Sequence, residues 1–152
     1  MKRAKKSLSV AVRPARKRDL AKIAALLGDL AGEELGVDAA ADCVGRIAKN
    51  REEAMIVACR GEEVVGLLAF RIRHNVESVS HFGEVSALVV SPECRKMGVG
   101  RLLMQEAEAM ARRRKCIGLW LVSGFGREEE AHKFYEQMGL ACNGKRFVKL
   151  FA

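Results

Sequence analysis

Apolar positions change their period several times along this chain. Residues 8–13, "LSVAVR", alternate and predict a strand ending at Pro14. Asp19 then stands where a helix cap is wanted, and Leu20, Ile23, Ala24, Leu27 and Ala31 recur at helical spacing. A weaker helical pattern covers about 39–49, with Cys43, Val44, Ile47 and Ala48 on one side. Two apolar, partly β-branched runs, "AMIVACR" at 54–60 and "EVVGLLAFRI" at 63–72, meet at a glycine-containing turn and predict a β-hairpin. "GEVSALVV" at 83–90 predicts another strand, closed by Pro92, which cannot donate to a ladder. From Gly98 onward, Val99, Leu102, Leu103, Ala107, Met110 and Ala111 form one apolar helical stripe broken only by Glu106. A strand follows at 116–122. A helix at 127–138 then puts Ala131, Phe134, Tyr135 and Met138 on one face, with Gly139 at its C-terminus. "KRFVKLF" at 145–151 reads as a closing strand. This order predicts an α/β sandwich around a mixed sheet.

Composition narrows the class of molecule. A chain of 152 residues fits one domain with a real core. We expect a basic, disordered tail at 1–7 and a single domain over 8–152. No apolar run is long enough to cross a bilayer, and none follows the first basic residues as a secretion signal requires, so a cytoplasmic protein without membrane contact is expected. The five cysteines are an odd, scattered set without a CxxC pair, which argues against a disulfide framework and against a zinc site. The net charge of +8 fits nucleic acid, an anionic cofactor or plain solubility. One Trp and one Tyr give no row of aromatics on which bases could stack, so nucleic-acid binding has no dedicated motif here.

The segment "SPECRKMGVGRLL" at 91–103 carries the sharpest chemical signal. It joins a strand to a helix and holds Arg95, Lys96, Gly98 and Gly100. The first N–H groups of a helix have no internal partners, and the helix dipole adds partial positive charge there. Glycines let an anion come close to the backbone. The spacing matches neither GxxxxGK[ST] nor GxGxxG. Taken alone, the loop suits a pyrophosphate or is a helix entry shaped for packing.

"VVSPECRKMGVGRLLMQEAE" resembles motif A of the GNAT superfamily of acetyl-CoA-dependent N-acetyltransferases, with Arg95, Gly98 and Gly100 at its three defining positions. "AHKFYEQMGL" at 131–140 is similar to a second family segment, Leu140 replacing the usual aromatic. The resemblance implies a mostly antiparallel mixed sheet flanked by helices, with two strands splayed at a cofactor cleft. It implies that backbone amides of 95–100 cradle the pyrophosphate of acetyl-CoA and that the strand edge at Leu88–Val90 pairs with the pantetheine arm. The expected cofactor contacts are Leu88, Val89, Val90, Arg95, Lys96, Met97, Gly98, Val99, Gly100, Arg101 and Ser123. Ser123 enters because the family's usual asparagine is missing before the last helix. Gly124 and Gly126 suggest a flexible loop at the cleft mouth. No metal is implied.

Acetyl transfer to an amine needs the amine deprotonated, the thioester polarised and the leaving thiolate protonated. Tyr135 matches the family tyrosine that serves as general acid. Glu84 is the candidate base. Ser86 shares its strand parity, so an unbroken strand would point both into the cleft. Ser86 also stands nine residues before Arg95, where relatives often carry Glu. His81 is a weaker candidate base, and His74 and His132 read as surface residues. The family attacks directly, so Cys94 and Cys116 are not expected to be nucleophiles. The acceptor is left open: a small amine, an amino acid, an aminoglycoside-like polyamine, or a protein N-terminus or lysine. Glu33, Glu34, Asp38 and Asp42 suit a cationic acceptor or a solvated face. A non-catalytic acyl-CoA sensor, a nucleic-acid-associated modifier guided by the basic tail, and a homodimer built on the C-terminal strand stay open beside the enzyme.

Overall fold

A computed structural model describes residues 9–123 and 128–152. The basic tail at 1–7 and the Gly124–Gly126 loop lie outside the described residues. Five strands, β1 (Val10–Pro14), β2 (Glu53–Arg60), β3 (Glu63–His74), β4 (His81–Val90) and β5 (Leu119–Leu121), form one sheet in the order β1-β2-β3-β4-β5. The first three pairings are antiparallel and β4–β5 is parallel. Among the described residues there are also four α-helices, α1 (Leu20–Ala31), α2 (Val37–Ala48), α3 (Val99–Arg113) and α4 (Glu128–Gln137). It is the expected helix-flanked mixed sheet.

The sheet is covered on both faces, which is why β2 and β3 read as nearly continuous apolar runs. On one face Ile23, Ala24, Leu26 and Ile47 of α1 and α2 pack on Met55, Val57, Leu67, Ala69 and Val89. On the other, Leu103, Met104, Ala107 and Met110 of α3 pack on Ile56, Leu68, Phe70 and Val85, with Phe134 and Tyr135 of α4 and Met138 just after it alongside. Gly61, at φ +66°, makes the tight β2–β3 turn.

Three expectations are corrected. Residues 141–152 form no strand and lie exposed, Phe147 to 91 %. The physical reason is in their pattern. At period 2, Phe147, Lys149 and Phe151 fall on one side and Arg146, Val148 and Leu150 on the other, so neither face is wholly apolar. The fifth strand is shorter than 116–122, and Asp19 does not cap α1 through its side chain. Its buried carboxylate instead accepts from Arg13 at 2.7 and 2.9 Å and from the Arg16 N–H at 2.8 Å, tying β1 to the start of α1.

Candidate functional site

The loop between β4 and α3 is pinned at both ends and open in the middle. Ser91 is buried and donates its N–H to the Val65 carbonyl at 2.8 Å. Pro92–Cys94 form a short 3-10 turn that buries Cys94, and Val99 is buried where α3 begins. Between them Arg95, Lys96, Met97 and Gly98 are exposed. Lys96 and Gly98 both take left-handed backbone, at φ +61° and +82°. Left-handed residues beside right-handed or extended ones turn successive N–H groups toward one point, forming an anion-binding nest. Among the described residues nothing accepts from the N–H groups of 96–101, and the first bond into the helix runs from Leu102 N–H to the Gly98 carbonyl at 3.1 Å. A β-carbon on Gly100 would lie 3.4 Å from the Phe134 ring, so this turn also packs closely on α4. Lys96 reaches α4 too, with Nζ 3.5 Å from a Glu130 carboxylate oxygen.

Next to this loop the sheet splits. Only Gly83, Glu84 and Val85 of β4 pair with Leu119, Trp120 and Leu121 of β5. Beyond Val85 a bulge falls at Ser86: Val85 pairs with Phe70 and Ala87 with Ala69, leaving Ser86 out of the ladder. From there to Val90, β4 has no partner on its β5 side among the described residues. Leu88 and Val90 pack toward α3, and Val89 toward α1 and α2. Ser123 follows the end of β5, half-buried.

The bulge separates two expected neighbours. Val85 packs on the α3 side and Ala87 on the α1–α2 side, so strand parity inverts between them. Glu84 and Ser86 are therefore not joined by one alternation. Glu84 faces the α1–α2 side and is buried, while Ser86 is exposed. Tyr135 lies half-buried on the α3 side, packed on the core that holds Val85, with Leu121 alongside. Its ring meets Phe134 edge-on at 5.2 Å. Burial pushes its phenol pKa up, so the hydroxyl keeps its proton at neutral pH. Tyr135 and Glu84 thus lie on opposite faces of the sheet.

Glu84 is not alone. Arg71 donates to it through Nε at 2.7 Å and Nη2 at 3.0 Å, and Arg73 Nη1 lies 3.9 Å away. The Arg73 guanidinium lies over the Trp120 ring, 4.4 Å from its centroid. Sequence reasoning missed Arg71, Arg73 and Trp120. The one available signal was Arg-x-Arg at the end of a strand, and it means little until the register is known. The other candidates lie elsewhere. His81 Nε2 bonds the Arg114 carbonyl oxygen at 2.8 Å, and His74 bonds Glu52 at 2.7 Å. Burial raises the Cys116 thiol pKa. Glu33, Glu34, Asp38 and Asp42 are all exposed. Among the described residues no cluster of His, Cys, Asp and Glu is arranged to hold a metal, and no helix is long and apolar enough to cross a membrane.

Comparison with known proteins agrees with this architecture. The family described as acetyltransferase (GNAT) matches residues 21–140. Aminoalkylphosphonate N-acetyltransferase of Salmonella typhimurium is 28% identical over 138 residues, spanning 91% of this chain and 89% of the relative. Among solved structures, a transcriptional regulator from Bacillus halodurans superposes with a TM-score of 0.86 at 24% identity, over 94% of this chain and 100% of the other. An acetyltransferase from Trypanosoma brucei superposes at 0.79 and 21%, over 94% of this chain and 100% of the other.

Proposed function

The chain belongs to the acetyltransferase (GNAT) family, and from that premise we propose that it transfers acetyl from acetyl-CoA to a primary amine by direct attack in a ternary complex. The observation that carries this reading is the set of N–H groups at 96–101 that have no acceptor among the described residues, opening beside an edge of β4 that is unpaired among them. Those donors and the α3 dipole fit a pyrophosphate. Arg95, Lys96 and Arg101 surround it with charge, and Met97, Gly98, Val99 and Gly100 offer backbone that an anion can approach. The β4 edge at Leu88, Val89 and Val90 would take the amides of the pantetheine arm, with Ser123 across the split.

Acetyl-CoA, when bound, supplies the activated acyl carbonyl. The amine lone pair forms the C–N bond as the C–S bond breaks; the nitrogen gives up a proton and the sulfur takes one. Tyr135, held protonated by burial, is the donor to sulfur. Glu84, on the opposite face at the last paired rungs before the split, takes the amine's proton through water, with Ser86 at the bulge between them. By its name, the Salmonella relative acts on aminoalkylphosphonates, and the part carried over here is the amine.

The test is steady-state release of CoA thiol over a panel of amines. Tyr135→Phe is expected to lower kcat about 100-fold with the KM for acetyl-CoA unchanged. Glu84→Gln is expected to lower kcat too. If it raises only the acceptor KM, Glu84 merely holds Arg71 and Arg73 in place. Unchanged kcat in Tyr135→Phe removes Tyr135 from the proton path.

A further inference from the structure

On the α1–α2 face, the apolar core ends at Ala69 on β3 and Ala87 on β4. Past that limit the sheet register lines up a polar row: Glu53 opposite Arg71, Arg71 opposite Glu84, and Glu84 opposite Trp120. Most of its charges are matched. Arg46 of α2 holds Glu53 at 2.7 and 3.0 Å, and Arg71 holds Glu84 with two bonds. Arg73 is left over. Its nearest carboxylate oxygen, on Glu84, is 3.9 Å away, beyond hydrogen-bond reach, and that carboxylate is already engaged by Arg71. Its side chain is 52% exposed.

The Trp120 ring beneath it gives this surplus cation a preferred place. A guanidinium held over an indole face keeps N–H groups free for a planar or tetrahedral oxyanion, and the contact reduces the rotamer freedom lost on binding. The place is also specific. Trp120 pairs with Glu84 one rung before Val85–Leu121, the last rung before β4 and β5 part. Whatever Arg73 binds is therefore held beside the split, on the face opposite Tyr135.

We propose that Arg73, backed by Trp120, binds an acidic group on the acceptor, so that the acceptor is a short-chain amine carrying a carboxylate, sulfonate or phosphonate. This rests on the acetyl-transfer reading above. Glu33, Glu34, Asp38 and Asp42, which would suit a polycationic acceptor, are exposed and define no second arm of the site.

The experiment measures CoA thiol release by the full chain with five acceptors on one two-carbon skeleton: ethylamine, ethylenediamine, β-alanine, taurine and 2-aminoethylphosphonate. At least one acidic amine is expected to exceed ethylamine in kcat/KM by roughly ten- to a hundredfold, the range of a hydrogen-bonded charge. Arg73→Gln is expected to erase most of that ratio through the acceptor KM, with acetyl-CoA affinity unchanged, and Arg73→Lys to restore part of it. Trp120→Leu, which keeps the charge but removes its support, is expected to fall between them. The ranking among the acidic amines separates carboxylate, sulfonate and phosphonate. Equal or better use of ethylamine or ethylenediamine overturns the inference and leaves acetyl transfer standing. Acetyl-CoA binding without turnover of any of the five also overturns it. A preference that survives Arg73→Gln removes Arg73 from the site. Failure to bind acetyl-CoA overturns the reading beneath it.

Discussion

Asp19 and Arg13 show how a residue read as one device serves as another. The aspartate precedes a helix, as a cap would, yet its carboxylate turns back to Arg13 on β1. The hydrogen bond from Arg13 holds the Asp19 carboxyl below the ordinary carboxylate range. Burial opposes that effect, and the Arg16 N–H adds to it. Because the folded pKa is depressed, the stabilisation is fully present above the unfolded value of about 4 and is lost as pH falls through the folded value. Urea midpoints measured from pH 7 to pH 2 are expected to fall below about pH 4 in the wild type and to fall less steeply in Asp19→Asn. The variant is expected to be roughly 2 kcal/mol less stable at pH 7. An unchanged acid slope would mean the pair contributes nothing to folding.

The element that sets the site is β4, and its details were only partly legible in the sequence. The segment "GEVSALVV" and Pro92 after it marked the strand, and the apolar stripe from Val99 marked α3. The bulge at Ser86 left no mark, because Val85, Ala87 and Val89 read as one apolar parity even though Val85 packs on the opposite face from the other two. That inversion separates Glu84 from Ser86 and puts Glu84 in line with Arg71 and Trp120. Cross-strand rows depend on register, and register belongs to pairs of strands. The loop itself was legible, because its chemistry lies in backbone amides and a helix end, which local sequence determines. The start of β4 depends on close packing. A β-carbon on Gly83 would lie 2.5 Å from Cε2 of Phe70, a fully buried ring with no room to retreat. Gly83→Ala is expected to cost about 1–3 kcal/mol in chemical denaturation. A change under 0.5 kcal/mol would show that the ring and strand relax freely.

Over the whole molecule, core and site sit on one open sheet, and the C-terminal segment adds little to either. Tyr135 and Leu140 pack on the core, but Phe147, Val148, Leu150 and Phe151 lie exposed. Deleting residues 145–152 is expected to move Tm by less than about 2 °C, as side chains already in water contribute little to folding. A fall of more than about 5 °C would show that the segment is packed in solution, against this chain or a second copy, and size-exclusion chromatography of both forms would tell which. The net charge of +8 also favours an anionic ligand at long range. We propose that the β4–α3 loop binds the pyrophosphate of acetyl-CoA. The most direct test is calorimetric titration of acetyl-CoA into the wild type and into the Arg95→Glu, Gly98→Asp double variant, both first shown to be folded. We expect micromolar binding by the wild type, weakening as salt rises, and none by the variant. Equal binding by both, or none by folded wild type, would contradict it.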